Sequence, residues 1–507
     1  MLKRYIKMIM NSRVYDVAQK TPLEEAGRLS VRLENRVWMK REDLQSVYSF
    51  KLRGAYNRMS SLSAEQRTQG VVAASAGNHA QGVALAAQKL GVKALIVMPR
   101  TTPSIKVAAV RDYGVRIKLS GDAYDEAYTW AAKYAEEKGM TFIHPYDDPL
   151  VIAGQGTVGL EILQQHEDDI EAIFVPVGGG GLIAGIAAAV KSLRPEIKVI
   201  GVEPDEASCM YEALKRGRRI TLKQVGIFAD GVAVRQAGKE PFRIARQHVD
   251  DMVLVSTDEI CAAMKDIFDE CRAVVEPAGA LAIAGIKKYV EQTGSKGKSL
   301  VAINSGANIN FDRLRHVSER AEIGERREAL LAVTIPEKPG SFKKFCRAIG
   351  KRGITEFNYR FSDASNAHVF AGVQLQGGDE ERLELLETLQ GQGYPVEDLT
   401  DSELAKLHIR HMVGGRVPGL KDELLFRFQF PERPGALLNF LLSMGNRWNI
   451  SLFHYRNHGA DYGRVLVGIQ VPSGSRGDFR KSLDKLGYAY WEETDCTAYN
   501  LFLGAGS

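Results

Sequence analysis

Cysteine is scarce in this chain: five in 507 residues, at positions 209, 261, 271, 346 and 496, with no CxxC pair. An odd, scattered set excludes a disulfide framework and paired-cysteine zinc modules, and it fits reduced thiols. Long apolar runs are absent too, which excludes a helical membrane protein. The start, Met1–Met10, is basic and partly apolar, with neither an apolar core run nor a small-residue cleavage site, so a cytoplasmic location is expected. Neither sign of charge is in excess. The net charge of +5 is modest for the length, and even Glu325-Arg326-Arg327-Glu328 mixes both signs. No nucleic-acid surface is expected from such a pattern. His408 and His411 have helix-face spacing but no third ligand close by, so exposed histidines are expected there rather than a metal site.

What is present is the composition of a globular protein, 45% hydrophobic and 25% charged, in a chain too long for one core. From about residue 20 to 315, short apolar strands such as Ala94–Met98 and Val199–Glu203 alternate with helical stretches. That alternation predicts parallel sheets covered on both faces. After Arg315 the texture changes. A charged stretch predicts a connector helix, and two similar segments follow. Leu331–Phe342, with its Pro339-Gly340 turn, is repeated as Phe426–Leu437, with Pro434-Gly435. Each copy reads as strand, turn, helix, strand, and a further alternating strand follows at 368–375 and 463–471. The boundaries expected are a catalytic part over 1–320 with a smaller subdomain inserted at about 42–150, a connector over 321–329, and repeats over 330–400 and 424–507.

Four motifs within the first 320 residues carry chemistry. Ser49-Phe50-Lys51-Leu52-Arg53-Gly54-Ala55 puts a lysine in an apolar run near a helix start. Partial desolvation there favours the neutral amine, so Lys51 is a candidate Schiff-base residue, although a lysine snorkelling at a helix start has the same local look. Ser75-Ala76-Gly77-Asn78-His79-Ala80-Gln81-Gly82 sits between the strand Val71–Ala74 and a helical run. Small residues at that turn let backbone N–H groups approach a ligand, while an ordinary N-cap is the plainer alternative. Gly178-Gly179-Gly180-Gly181-Leu182 joins the strand Ile173–Val177 to an alanine-rich helix. Such a nest at a helix N-terminus suits a phosphate, and the run lacks both dinucleotide and P-loop spacing. Ser305-Gly306-Ala307-Asn308 follows the strand Leu300–Asn304, where open α/β sheets place ligands.

Together these motifs resemble the serine/threonine dehydratase family, within the tryptophan-synthase-β-like group (fold type II) of pyridoxal phosphate enzymes, and the resemblance runs over nearly the whole chain. The C-terminal copies resemble ACT domains, ferredoxin-like α+β modules that bind amino acids. The fold implied is α/β, with a catalytic part of two open-sheet subdomains. The resemblance implies that Lys51 carries pyridoxal 5'-phosphate, with Phe50 beside it. Asn78 would hold the ring hydroxyl, Gly178, Gly179, Gly180, Gly181 and Leu182 the phosphate, and Ser305 the ring nitrogen. Lys51 and Ser305 are the catalytic residues implied. The turn Ser75, Ala76, Gly77, Asn78, His79 would bind the substrate carboxylate. The reaction implied is deamination of L-threonine to 2-oxobutanoate and ammonia, the entry to isoleucine biosynthesis, with L-serine as a secondary substrate. A serine-preferring enzyme, a non-catalytic amino-acid sensor and a nucleotide-binding protein are the competing readings. Isoleucine is the implied inhibitor and valine an opposing activator. Gly340, Phe342, Gly435 and Leu437 are candidate effector contacts, and core packing explains Phe342 and Leu437 equally well. A homo-oligomer, a tetramer, is expected. Some family members hold a divalent cation near a glutamate, a carbonyl and an aspartate. The matching Glu203, Ala207 and Cys209 offer a thiol for the carboxylate, so no metal is expected.

Overall fold

The structure, a computed structural model, describes residues 1–503 except 167–168, 362–364, 432–435, 445–446, 457–461, 497–498 and 500–502. The chain forms two compact units, Met1–Ala321 and Glu322–Ser507.

The first unit has two sheets. Its strands are β1 (Leu23–Glu25), β2 (Arg36–Arg41), β3 (Val71–Ala74), β4 (Ala94–Met98), β5 (Arg116–Leu119), β6 (Thr141–Phe142), β7 (Ala172–Pro176), β8 (Lys198–Pro204), β9 (Asp251–Val255) and β10 (Ser299–Asn304). The larger sheet runs β1-β2-β10-β7-β8-β9, and the smaller runs β5-β4-β3-β6. All pairings are parallel except β1 with β2. The inner strands β3, β7 and β10 are buried along their whole length because both faces are covered, whereas the edge strands β1 and β5 carry exposed charges. In β10, Leu300 and Ala302 pack against Leu281 and Ile283 of the helix Pro277–Thr293, whereas Val301 and Ile303 pack against Ile162 and Ile186 on the other side. Val71 and Ala73 of β3 likewise face one core, and Val72 and Ala74 another.

The helix Lys51–Ser60 lies against the helices Asn78–Leu90 and Pro149–Gln165. Its neighbours come unusually near. A Cβ on Gly154 would lie 2.7 Å from the Arg53 carbonyl oxygen, and one on Gly82 would lie 3.1 Å from that of Lys51. Glycine at these two contacts lets the lysine's helix seat backbone to backbone.

The second unit holds β11 (Glu328–Pro336), β12 (Ile354–Arg360), β13 (Asn366–Gln374), β14 (Val396–Asp398), β15 (Glu423–Pro431), β16 (Asn449–Arg456), β17 (Tyr462–Gln470) and β18 (Tyr490–Glu492). They form one antiparallel sheet, β14-β11-β13-β12-β16-β17-β15-β18. The two repeats therefore share a sheet, joined where β12 pairs with β16, Glu356 opposite Arg456 and Arg360 opposite Leu452. Each repeat carries a register shift at the same place, Ile354/Glu356 and Ile450/Leu452. Four helices, Ser341–Ile349, Gly378–Gly391, Ala436–Met444 and Arg476–Leu486, contribute Phe345, Leu385, Phe440 and Phe479 to one core with Phe357, Phe426 and Phe453 of the strands. This is the α+β, ferredoxin-like arrangement of two βαββαβ copies.

One boundary differs from the expected one. The helix read over 321–329 spans Arg313–Gly324 instead, and β11 already begins at Glu328. Gly324 and the left-handed Arg326 (φ 57°) end the helix, and the alternation Ala329, Leu331, Val333, Ile335 commits the next residues to the sheet core. His408 is exposed and His411 half-buried. Among the described residues no group of three or more His, Cys, Asp or Glu is placed to hold a metal ion.

Candidate active site

The turns at Ser75, Gly178 and Ser305 leave the carboxyl ends of the parallel strands β3, β7 and β10, which is where this class of sheet opens to ligands, and the lysine motif follows β2 after a short 3-10 turn, Glu42–Leu44. Lys51 is the first residue of its helix, and the chain before it is stapled to the end of β10. The Phe50 N–H donates to the Ser305 carbonyl oxygen at 3.3 Å, and Ser49 bridges to Gly306. The Lys51 ammonium donates to the Pro145 carbonyl at 3.3 Å and stands 5.2 Å from the centre of the Phe50 ring. Burial draws its pKa down to about 8, against the opposing charge of Glu276. A lysine tuned this far is a usable nucleophile and base near neutral pH.

The Ser75–His79 turn opens the helix Asn78–Leu90. Ser75 Oγ accepts from the Gly77 N–H at 3.2 Å, and the first helical N–H groups, beginning at Asn78, have no partner within the helix. Asn78 is held on both sides. Its Nδ2 donates to Glu276 Oε1 at 2.6 Å, and its Oδ1 accepts from Asn308 Nδ2 at 2.7 Å. The His79 ring is turned away from this role. The ring is buried and hydrogen-bonds the Ile143 carbonyl at 2.9 Å, and burial, with Lys51 nearby, lowers its pKa to about 3. Only the backbone of His79 remains for a ligand at this turn.

Gly178–Gly181 form a cradle with no room for side chains. A Cβ on Gly178 would lie 2.9 Å from Val232 Cα, one on Gly181 2.9 Å from Tyr146 Cβ, and one on Gly179 would enter the Tyr146 ring. Gly180, at φ 92°, caps the helix Gly181–Leu193 in the left-handed region that only glycine enters freely. Bare backbone at a helix N-terminus fits a phosphate. Leu182, the residue after the run, turns into the core. Ser305 is buried, and its hydroxyl, which carries one rotatable proton, donates to the Ala278 carbonyl at 3.2 Å. Cradle, turn, amine and hydroxyl fit pyridoxal phosphate.

Several site residues escape a reading of local motifs. Glu276 caps the helix Pro277–Thr293 from a buried position, and burial, reinforced by Asp230, raises its carboxyl to about 7. Its N–H donates to the Gly306 carbonyl at 3.1 Å. The sequence signal was an acid directly before a proline, which reads as a plain N-cap. Tyr146 was also missed, and Asn308, though within the fourth motif, had no bond to Asn78 foreseen for it. So was His144, whose Nδ1 accepts the Tyr146 and Asp147 N–H groups at 3.2 and 2.8 Å, which leaves the ring proton on Nε2; burial lowers its pKa to about 4. Glu203 is buried and accepts the N–H groups of Met210 and Tyr211 at 2.9 and 2.8 Å, with the Cys209 thiol 3.8 Å away. A carboxyl already committed to a helix end beside a thiol does not fit a hard cation. In the second unit, Gly340 (φ 91°) opens the helix Ser341–Ile349, and Phe342 packs on Phe357 and Tyr359 at 5.6 and 4.9 Å between ring centres. Leu437 is buried in the same core. Gly435 lies outside the described residues.

This fold and site define a pyridoxal-phosphate-dependent lyase with an appended regulatory unit. Residues 14–306 match the family model for pyridoxal-phosphate dependent enzymes, and residues 319–409 and 414–503 match that for the C-terminal regulatory domain of threonine dehydratase. The chain is 56% identical to the biosynthetic L-threonine dehydratase IlvA of Burkholderia multivorans, with 98% of this chain and 99% of that protein covered. It is 54% identical to the IlvA of Escherichia coli over 98% and 97%. The solved structure of the processed form of threonine deaminase isoform 2 from Solanum lycopersicum is similar at a TM-score of 0.62 and 52% identity, covering 63% of this chain and 93% of that one. The chain belongs to the biosynthetic threonine dehydratase family.

Proposed function

We propose that this protein deaminates L-threonine to 2-oxobutanoate and ammonia, with L-serine as a poorer substrate, and that isoleucine bound to the second unit restrains the reaction while valine opposes it. The observation that carries the reading is Lys51, a buried amine with a pKa near 8 that bonds the Pro145 carbonyl and follows Phe50, whose N–H bonds the Ser305 carbonyl. The backbone of the turn binds the substrate carboxylate. Asn78, fixed by Glu276 and Asn308, and Ser305 orient the cofactor ring, and the cradle holds its phosphate. Bound pyridoxal phosphate supplies the electron sink that acidifies the substrate Cα–H. Lys51 Nζ accepts that proton, for which a near-neutral amine is well matched. Loss of the β-hydroxyl and hydrolysis then give the oxoacid. Binding at the regulatory repeats and a homotetrameric assembly belong to the same proposal, supported by the pair of βαββαβ copies.

The test is oxoacid release from L-threonine by the purified protein, with and without L-isoleucine. Turnover that isoleucine suppresses is the expected result. Turnover indifferent to isoleucine would remove the regulatory half of the proposal, and no turnover with pyridoxal phosphate bound would remove the substrate.

A further inference from the structure

The helix that begins with Lys51 has no side-chain N-cap, although its first residue needs fixed coordinates. Two residues after Lys51, on the opposite side of the helix, is Arg53. It is wholly buried, and both edges of its guanidinium are taken. Nε and Nη2 donate to Glu42 at 2.7 and 2.8 Å, and Nη1 and Nη2 donate to Glu161 at 2.6 and 3.0 Å. Nη1 also meets Thr157 Oγ1 at 3.1 Å. Glu161 is shared with Lys40, 2.6 Å away, and with the Tyr15 hydroxyl at 2.9 Å. Two cations and two carboxylates thus form a closed, neutral set without access to solvent.

Such a set is a poor source of stability, since well-packed apolar residues of equal volume serve as well or better once desolvation is counted. What it supplies is geometry. A planar fork gripped by two carboxylates fixes direction as well as distance. Those carboxylates come from separate elements, Glu42 just after β2 and Glu161 from the helix Pro149–Gln165. We propose that Arg53 is the positioning residue for Lys51: it locks the first turn of the lysine's helix to the large sheet and to the helix behind it, so that Nζ is held at the reacting carbon. The set acts through position and not through its field. Burial and the opposing charge of Glu276 are what shift the Lys51 amine itself.

The inference rests on the reading that Lys51 carries the cofactor, and one set of experiments separates the two. Arg53→Lys keeps the charge and loses the fork. The expected variant is folded and binds pyridoxal phosphate. Its kcat on L-threonine falls at least about tenfold with KM changed less than about threefold, since a misplaced base costs the chemical step. When the cofactor is stripped with hydroxylamine and added back, its visible absorbance band returns about tenfold more slowly, yet titrates at the same pH as in the wild type. Should Arg53→Lys fail to fold, Thr157→Val removes a single bond to the fork, and a two- to threefold fall in kcat and in the rate of band recovery is expected. A Val158→Ala variant matched in Tm is the control. Wild-type kcat and recovery in the fork variants, or losses equalled by Val158→Ala, would overturn the inference. A wild-type protein without any such band would instead overturn the assignment of Lys51.

Discussion

The two units bury charge in different ways. In the catalytic unit, Arg53 meets Glu42 at 2.7 Å and Glu161 at 2.6 Å, and Lys40 meets Glu161 at 2.6 Å. In the regulatory unit, Arg410 meets Glu356 at 2.7 Å and Glu328 at 3.5 Å, with Thr355 donating to Glu328. The consequences run in opposite directions. Burial pushes the Glu42 carboxyl up, but Arg53 outweighs it and holds Glu42 below the usual carboxylate range. Burial, with the neighbouring acids Glu356 and Glu322, leaves Glu328 at about 7. Where cations and carboxylates are matched, as around Arg53, the Glu42 carboxyl is held below its usual range. Where two carboxylates share a guanidinium, or where a buried lysine and Glu276 stand apart as in the active site, the result is a group poised near pH 7.

The comparison can be broken at four points, in falling order of effect. Lys51→Ala removes the tuned amine itself. Turnover of L-threonine should fall by roughly a thousandfold or more in steady-state assays while the circular dichroism spectrum is retained. Arg410→Met removes the guanidinium that Glu328 and Glu356 share, and urea unfolding should show the regulatory unit destabilised by about 3–5 kcal/mol. Glu328→Gln acts on pH dependence. The native carboxyl keeps its proton up to about pH 7, whereas the unfolded one releases it near its ordinary value. Its contribution to stability, about 3 kcal/mol, is therefore present in acid and lost as pH rises through that window. The glutamine variant should lose that slope in denaturation midpoints measured from about pH 4.5 to 7. Glu42→Gln should alter the opposite limb. Because the folded pKa of Glu42 is depressed, its contribution is present above the ordinary carboxylate pKa and disappears as pH falls through the folded value, so the variant should show a shallower acid-side loss of stability.

Much of the catalytic site was legible in the sequence because each of its parts is local. A strand, a turn of small residues and a helix run consecutively over Val71–Leu90 and again over Ala172–Leu193, and the roles proposed for Lys51, Asn78, Gly178–Gly181 and Ser305 rest on residue type within short stretches. What stayed hidden depends on partners far along the chain. Glu276 reaches Asn78 across 198 positions, and Asn308 reaches it across 230. His79 looks like a ligand-binding residue until its ring is found bonded to Ile143, 64 positions away. In the second unit, period-two patterning disclosed the strands and their repeat, but it carries no information on which edge meets which. The β12–β16 seam that merges two expected sheets into one is a pairing across about a hundred residues. Phe342 and Leu437 stood equally well for effector contacts and for core, and the structure shows them buried in the core beneath the helices.

The most direct test of the account is to reduce the purified protein with borohydride in the presence of pyridoxal phosphate and to map the modified peptide by mass spectrometry. A single phosphopyridoxyl group on Lys51 is the predicted result. A modification placed on any other lysine, with Lys51 left bare, would contradict it.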